Sequence, residues 1–219
     1  MRTLVIDCAT DACSVALFDD RILLGGDCRV LGRGHAEALV PMIAALPGKG
    51  RADRIAVSLG PGSFTGLRVG IAAARALGLA WNIEVLGYPT LALVAAQGGA
   101  LVAAQGRAAF GGGPVTAAMT GGHGEWFVQV FDAEGAPTSA LASLSPEAAA
   151  IAVQTRHVAG SQAEALVALR GFGEAHNLLP DARQFRLLPP HLLTRDISPI
   201  YGRAPDARLP NASAPSPPA

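Results

Sequence analysis

Short runs of mostly apolar residues at 3–9, 14–18 and 22–26, separated by polar positions, predict three strands, the last two joined by a tight turn at Asp19-Asp20. A helical period follows. Leu39, Met42, Ile43 and Leu46 share one face of a helix over 34–46. A short aliphatic strand at 54–59 runs into Gly60-Pro61-Gly62, and a helix begins at Ser63 or Thr65, where a hydroxyl can cap the first turn, and continues to about Trp81. A strand at 84–86 and a helix at 89–96 complete the first half. The second half starts in the same way, with strands at 114–119, 125–131 and 137–141 and a turn at 132–135. Ser145-Pro146-Glu147 opens a helix with a hydroxyl cap and proline at its first position. A strand at 156–159 follows, and Ser161-Gln162-Ala163-Glu164 reads as a capping box opening a helix that stops near Gly171.

The order βββαβαβα is the ribonuclease H-like arrangement, a mixed sheet with helices on its faces. Two such lobes in tandem form the plan of actin, hexokinase and the heat-shock ATPases, so the expected fold is α/β with two ribonuclease H-like lobes of the actin-like ATPase (ASKHA) class. The second lobe reads as degenerate, because few helix periods and many prolines follow Gly171. The predicted organisation is a lobe at 1–98, a smaller one at 99–203, and a Pro/Ala-rich tail at 204–219 expected to be disordered past about residue 208.

Within the helix after Ser63, Gly66, Gly70, Ala74 and Gly78 recur every four residues and make one face almost free of side chains. Glycine in a helix costs up to about 1 kcal/mol relative to alanine, so the stripe requires a compensating close approach. From the stripe alone, packing on the domain's own sheet is favoured over a helix-helix contact with a second protein. A phosphate cradle at the helix N-terminus is the weakest reading, since the lysine of a P-loop and the dinucleotide-fingerprint spacing are both missing.

Half of the 219 residues are hydrophobic and the formal charge is zero. That balance supplies no domain-wide basic field for nucleic acid, so any RNA contact is local or provided by a partner. Cys8, Cys13 and Cys28 lack metal-ligand spacing and read as reduced cytosolic thiols. Neither a secretory leader nor a membrane span is expected, and the predicted location is cytoplasmic.

Several chemistries of this fold lack their residues. A two-metal nuclease needs carboxylates on neighbouring strand ends, but Asp7 is the one acid on the first strand and 58–60 carries none. A phosphotransferase needs an acid in each lobe's phosphate turn. The first lobe keeps a remnant of such a loop in Asp7 and Thr10, whereas Thr120-Gly121-Gly122-His123-Gly124 has no acid. The five histidines, His35, His123, His157, His176 and His191, are scattered singly and read as surface or satisfied side chains. Gly62-Ser63-Phe64-Thr65-Gly66 misses the serine nucleophile-elbow spacing by one residue.

In order along the chain, 4–17, 35–43, the highly specific 60–70 run, 124–131 and 199–207 resemble the TsaB family, whose members serve bacterial synthesis of threonylcarbamoyladenosine in tRNA. Two departures stand out: Thr120-Gly121-Gly122-His123 replaces an Asp-Ala-Arg-like turn, and a Gly/Ala-rich segment at 106–113 is added. The resemblance implies an inactive paralogue of TsaD, because the metal-binding histidine pair of TsaD has no counterpart in 87–93. It implies no catalytic residue, no metal and no cofactor. It also implies a heterodimer with TsaD through the first two helices, TsaE joining at that junction, and tRNA contact only within the complex; alone, the same apolar surface is expected to self-associate into a homodimer. On this reading Leu39, Met42, Ile43, Gly66, Gly70, Ala73, Ala74 and Leu77 are the expected partner surface, which reverses the order of the two readings of the glycine stripe. The alternatives are a metal- or nucleotide-dependent hydrolase using Asp7 and Thr10, and a free-standing sugar- or nucleotide-binding module.

Overall fold

A computed structural model describes residues 1–104 and 113–202. The Gly/Ala-rich segment, apart from Gly113, and the C-terminal tail lie outside the described residues. The first sheet consists of β1 (Arg2–Asp7), β2 (Ala12–Asp19), β3 (Ile22–Val30), β4 (Arg54–Ser58) and β5 (Glu84–Tyr88), in the order β3-β2-β1-β4-β5. β1 is antiparallel to β2 and parallel to β4. The helices α1 (His35–Ala45), α2 (Phe64–Trp81) and α3 (Thr90–Ala104) alternate with the later strands. The second sheet repeats the plan with β6 (Val115–Thr120), β7 (Trp126–Phe131), β8 (Ala142–Leu144), β9 (His157–Ala159) and β10 (Glu174–His176), in the order β10-β9-β6-β7-β8. Its helices are α4 (Pro146–Ala152) and α5 (Ala163–Arg170).

The two-residue period of each strand divides the side chains between two layers. Leu4, Ile6, Val15, Leu17, Ile55 and Val57 pack under α1 and α2, whereas Val5, Ala16, Phe18 and Ala56 face the opposite side. There they meet α3 and the inner face of the second sheet, including Val115, Ala117, Met119, Phe127 and Ala159. Trp126, Val128 and Val158 point outward to α4 and α5, where they pack with Ala149 and Leu166. One apolar layer containing α3 is thus shared by both sheets.

The second lobe is shortened in length while keeping the strand order. Its helices have 7 and 8 residues against 11 and 18 in α1 and α2. The sequence reading missed β10, a three-residue strand with no alternation long enough to register. It placed the third strand of this lobe at 137–141; the ladder instead uses Ala142–Leu144, and residue 137 makes a single bridge to Phe131. The expected division at 98/99 falls inside α3. After β10 the chain returns to the first lobe: the Ala182 N–H donates to Ser14 Oγ at 2.9 Å, and Phe185 lies against Phe18 and Tyr88.

Local signals act with mixed success. Ser145 Oγ accepts from the Ala148 N–H at 3.2 Å, with Pro146 opening α4. The capping box at Ser161 does not form. Gln162 occupies the cap position without a side-chain capping bond, and Ser161 Oγ accepts from the Thr120 N–H at 3.1 Å instead.

Candidate functional site

α2 starts where Ser63 Oγ accepts the Gly66 N–H at 3.3 Å, and the Ser63 N–H donates to the Ala9 carbonyl at 2.7 Å. This brings the helix start onto the loop after β1. A Cβ on Gly62 would collide with the Ala9 carbonyl oxygen, and one on Gly66 with that of Cys8. Further along, a Cβ on Gly70 would make ordinary contacts with Cys8 Cβ and Ile6 Cγ2 at 3.5 and 3.7 Å, and one on Gly78 would strike Val85. The glycine stripe therefore packs on the molecule's own sheet, the reading that the stripe alone favours.

This placement corrects most of the expected partner surface. Leu39, Met42, Ile43, Gly66, Gly70 and Ala74 are buried within the monomer, because the helical faces with the smallest or most apolar side chains are those the sheet requires. Ala73 and Leu77 are half-buried against that core. The exposed side of the same helices is also apolar: Val40 is 63% exposed and Leu79 86%, with Ala36, Ala44, Ala72 and Ala76 exposed beside them in sequence. Apart from the buried His35, Glu37, Arg68 and Arg75 are the only acidic or basic side chains in the two helices.

A second feature is a cleft of about 770 Å³ lined from both lobes, by Ala9, Thr10 and Asp11 on one side and by Thr120, Gly121 and His123 on the other. Arg68 stacks 3.5 Å from the Phe64 ring centroid, and Phe64 lies 6.0 Å from Tyr201; all three line the cleft. Sequence reasoning assigned none of these three a role, although Phe64 and Arg68 stand within the recognised 60–70 run and Tyr201 within 199–207. Its neighbour Gly202 lies so close to the Phe127 ring that a Cβ there would overlap it.

The structure separates the two loop-remnant residues. Thr10 lines the cleft, and its Oγ1 accepts from the Ala12 N–H at 3.2 Å. Asp7 is fully buried beneath it, its carboxylate accepting from the Ala9 N–H and from Tyr88 Oη, each at 3.0 Å. Burial pushes the Asp7 carboxyl up to about 7, and the two hydrogen bonds offset that effect only in part. His35 is buried with Nε2 2.8 Å from the Thr10 carbonyl, a positioning contact for the loop. His157 and His176, single in the sequence, are brought together by strand pairing.

Residues 29–170 match the profile of the family described as TsaD, tRNA N6-adenosine threonylcarbamoyltransferase. The TsaB protein of Escherichia coli is 39% identical over 103 residues, covering 45% of this chain and 44% of the relative. That of Haemophilus influenzae is 33% identical over 104 residues, covering 43% and 42%. The chain thus aligns with less than half the length of these curated relatives. YeaZ from Pseudomonas aeruginosa superimposes with a TM-score of 0.72 at 26% identity, covering 91% of this chain and 99% of that one.

The chain belongs to this family, on its TsaB branch.

In this TsaB-family chain the 60–70 run has a steric explanation. Gly60 adopts φ +98°, where an L side chain is strained, and Gly62 and Gly66 admit the carbonyls of the loop after β1. No helix among the described residues is long and apolar enough to cross a membrane.

Proposed function

We propose that this chain is a non-catalytic subunit of the machinery that makes threonylcarbamoyladenosine at adenosine 37 of tRNA, and that it docks and activates a TsaD-type catalytic partner. The observation that carries this reading is the apolar outer side of α1 and α2, where Val40, Ala72, Ala76 and Leu79 face solvent and charges are few. Such a surface favours a protein partner over water. The docking surface is therefore this outer side, with Ala73 and Leu77 at its base, and the buried stripe shapes it from beneath. The same surface supports a homodimer when the chain is alone. TsaE joins at the heterodimer junction, and tRNA is reached through the complex in the cytoplasm.

The sealed position of Asp7 supports an inactive role, since a buried carboxyl held by Tyr88 is poorly placed to carry a metal-bound phosphate in the cleft. Co-expression with the TsaD-family protein of the same organism tests the proposal. The parent chain is expected to co-elute with it in equimolar amounts, whereas a V40D/L79E double variant with unchanged melting temperature is expected to elute alone. Co-elution of the double variant overturns the reading.

The cleft favours one rival, a sugar- or nucleotide-binding module, because Thr10, Ser63, Arg68 and Thr120 offer polar groups around a volume suited to a small ligand. Calorimetric titration of the isolated chain with Mg-ATP separates the readings: stoichiometric heat supports the module, and its absence supports the scaffold.

A further inference from the structure

At the far edge of the second sheet, β9 and β10 run parallel in a register that sets Glu174 opposite His157 and His176 opposite Ala159. Residues two apart on a strand share a face, so Glu174 and His176 project to the same side as His157. One nitrogen or oxygen from each of the three lies within 4.8 Å of the others. His157 Nδ1 is 3.5 Å from His176 Nε2 and 3.7 Å from Glu174 Oε2.

We propose that His157, Glu174 and His176 form a binding site for one divalent transition-metal ion of the zinc type. With metal-ligand distances of about 2.0–2.1 Å, neighbouring ligand atoms of a tetrahedral site are separated by about 3.3 Å. The two short separations here are within a few tenths of an ångström of that value, and the third is under 4.8 Å. Two imidazoles and one carboxylate match the ligand preference of zinc and its neighbours over magnesium or calcium, which take oxygen. His157 and Glu174 retain 12% and 24% side-chain exposure, so an ion and a completing water can reach the site from solvent. Arg156 holds Glu174 Oε1 at 2.6 Å and so fixes the carboxylate from outside, with Oε2 3.7 Å from His157 Nδ1. The ion would cross-link the last two strands of the shortened lobe, where each strand is only three residues long.

The test uses the untagged full chain, stripped with chelator and titrated with Co²⁺ by visible absorption and with Zn²⁺ by calorimetry. One equivalent is expected, with the intense visible bands of low-coordinate cobalt and a rise in melting temperature on metal addition. E174Q and H157Q, each checked to melt like the metal-free parent, are expected to weaken binding at least about tenfold. E174Q serves alone if H157Q fails to fold. Absence of binding, a stoichiometry other than one, or variants that bind like the parent would overturn the site.

Discussion

Tyr88 donates its hydroxyl to Asp7 Oδ2 at 3.0 Å, and both side chains are shut off from water. The pair links the end of β1 to the end of β5 directly below the loop that lines the cleft. Its energetics depend on pH. The Asp7 carboxyl, raised by burial from 3.8 to about 7, keeps its proton in the folded chain over a range where the unfolded chain releases it. Stability contributed by this group is complete below about pH 4, falls as pH rises to about 7, and is constant above. A displacement of that size corresponds to roughly 4 kcal/mol. D7N removes the titration, so its melting temperature relative to the parent is expected to rise between pH 4 and 7. A flat difference across that range, measured by thermal melts, refutes the assignment.

Two glycines one helical turn apart in α2 are expected to respond in opposite directions to a single methyl group. G70A meets only ordinary contacts and gains helix propensity, so stability should rise by up to about 1 kcal/mol. G66A drives a methyl into the Cys8 carbonyl and should destabilise by roughly 1–3 kcal/mol. Denaturant midpoints of the two variants measure the contrast.

Leu39 and Val40 are adjacent in α1 and serve different ends. L39A opens a cavity between helix and sheet and is expected to cost roughly 2–5 kcal/mol. V40D, at an exposed position, should leave the unfolding midpoint within about 0.5 kcal/mol of the parent while weakening capture of the proposed TsaD-type partner. Equal loss of stability in both variants would show that α1 is buried on both sides.

The sulfurs of Cys8 and Cys13 lie 3.5 Å apart in the core, the Cys8 thiol pushed up by its bond to Cys13 and by burial. Cys28 is partly exposed, and burial raises its thiol to about 11. A thiol reagent at pH 8 should therefore modify no more than one cysteine slowly in the folded chain and all three after denaturation. Rapid modification of two or three in the native state would contradict the packing.

Long periodic segments were legible in the sequence. Leu39, Met42 and Ile43 announced the buried face of α1, and the run into Gly60-Pro61-Gly62 announced the turn before α2. In α2 the glycine stripe at 66, 70 and 78 pointed to the covered side, whereas the alanines were uninformative because they line both faces: Ala74 is buried, and Ala72 and Ala76 are exposed. β10 went unseen because Glu174-Ala175-His176 has no apolar alternation, and its pairing with β9 is what unites histidines 19 residues apart. Ser161 failed as a cap because the hydroxyl found a partner on β6, a competition that local sequence does not register.

Leu91, Leu93 and Val94 are wholly enclosed where α3 passes between the sheets, and Gln97 ties that helix to the returning strand of chain at the Leu179 carbonyl and the Asp181 N–H. Turning one lobe against the other would have to unseat this greasy wedge from both sheets, so the two lobes are built as a single fixed bracket.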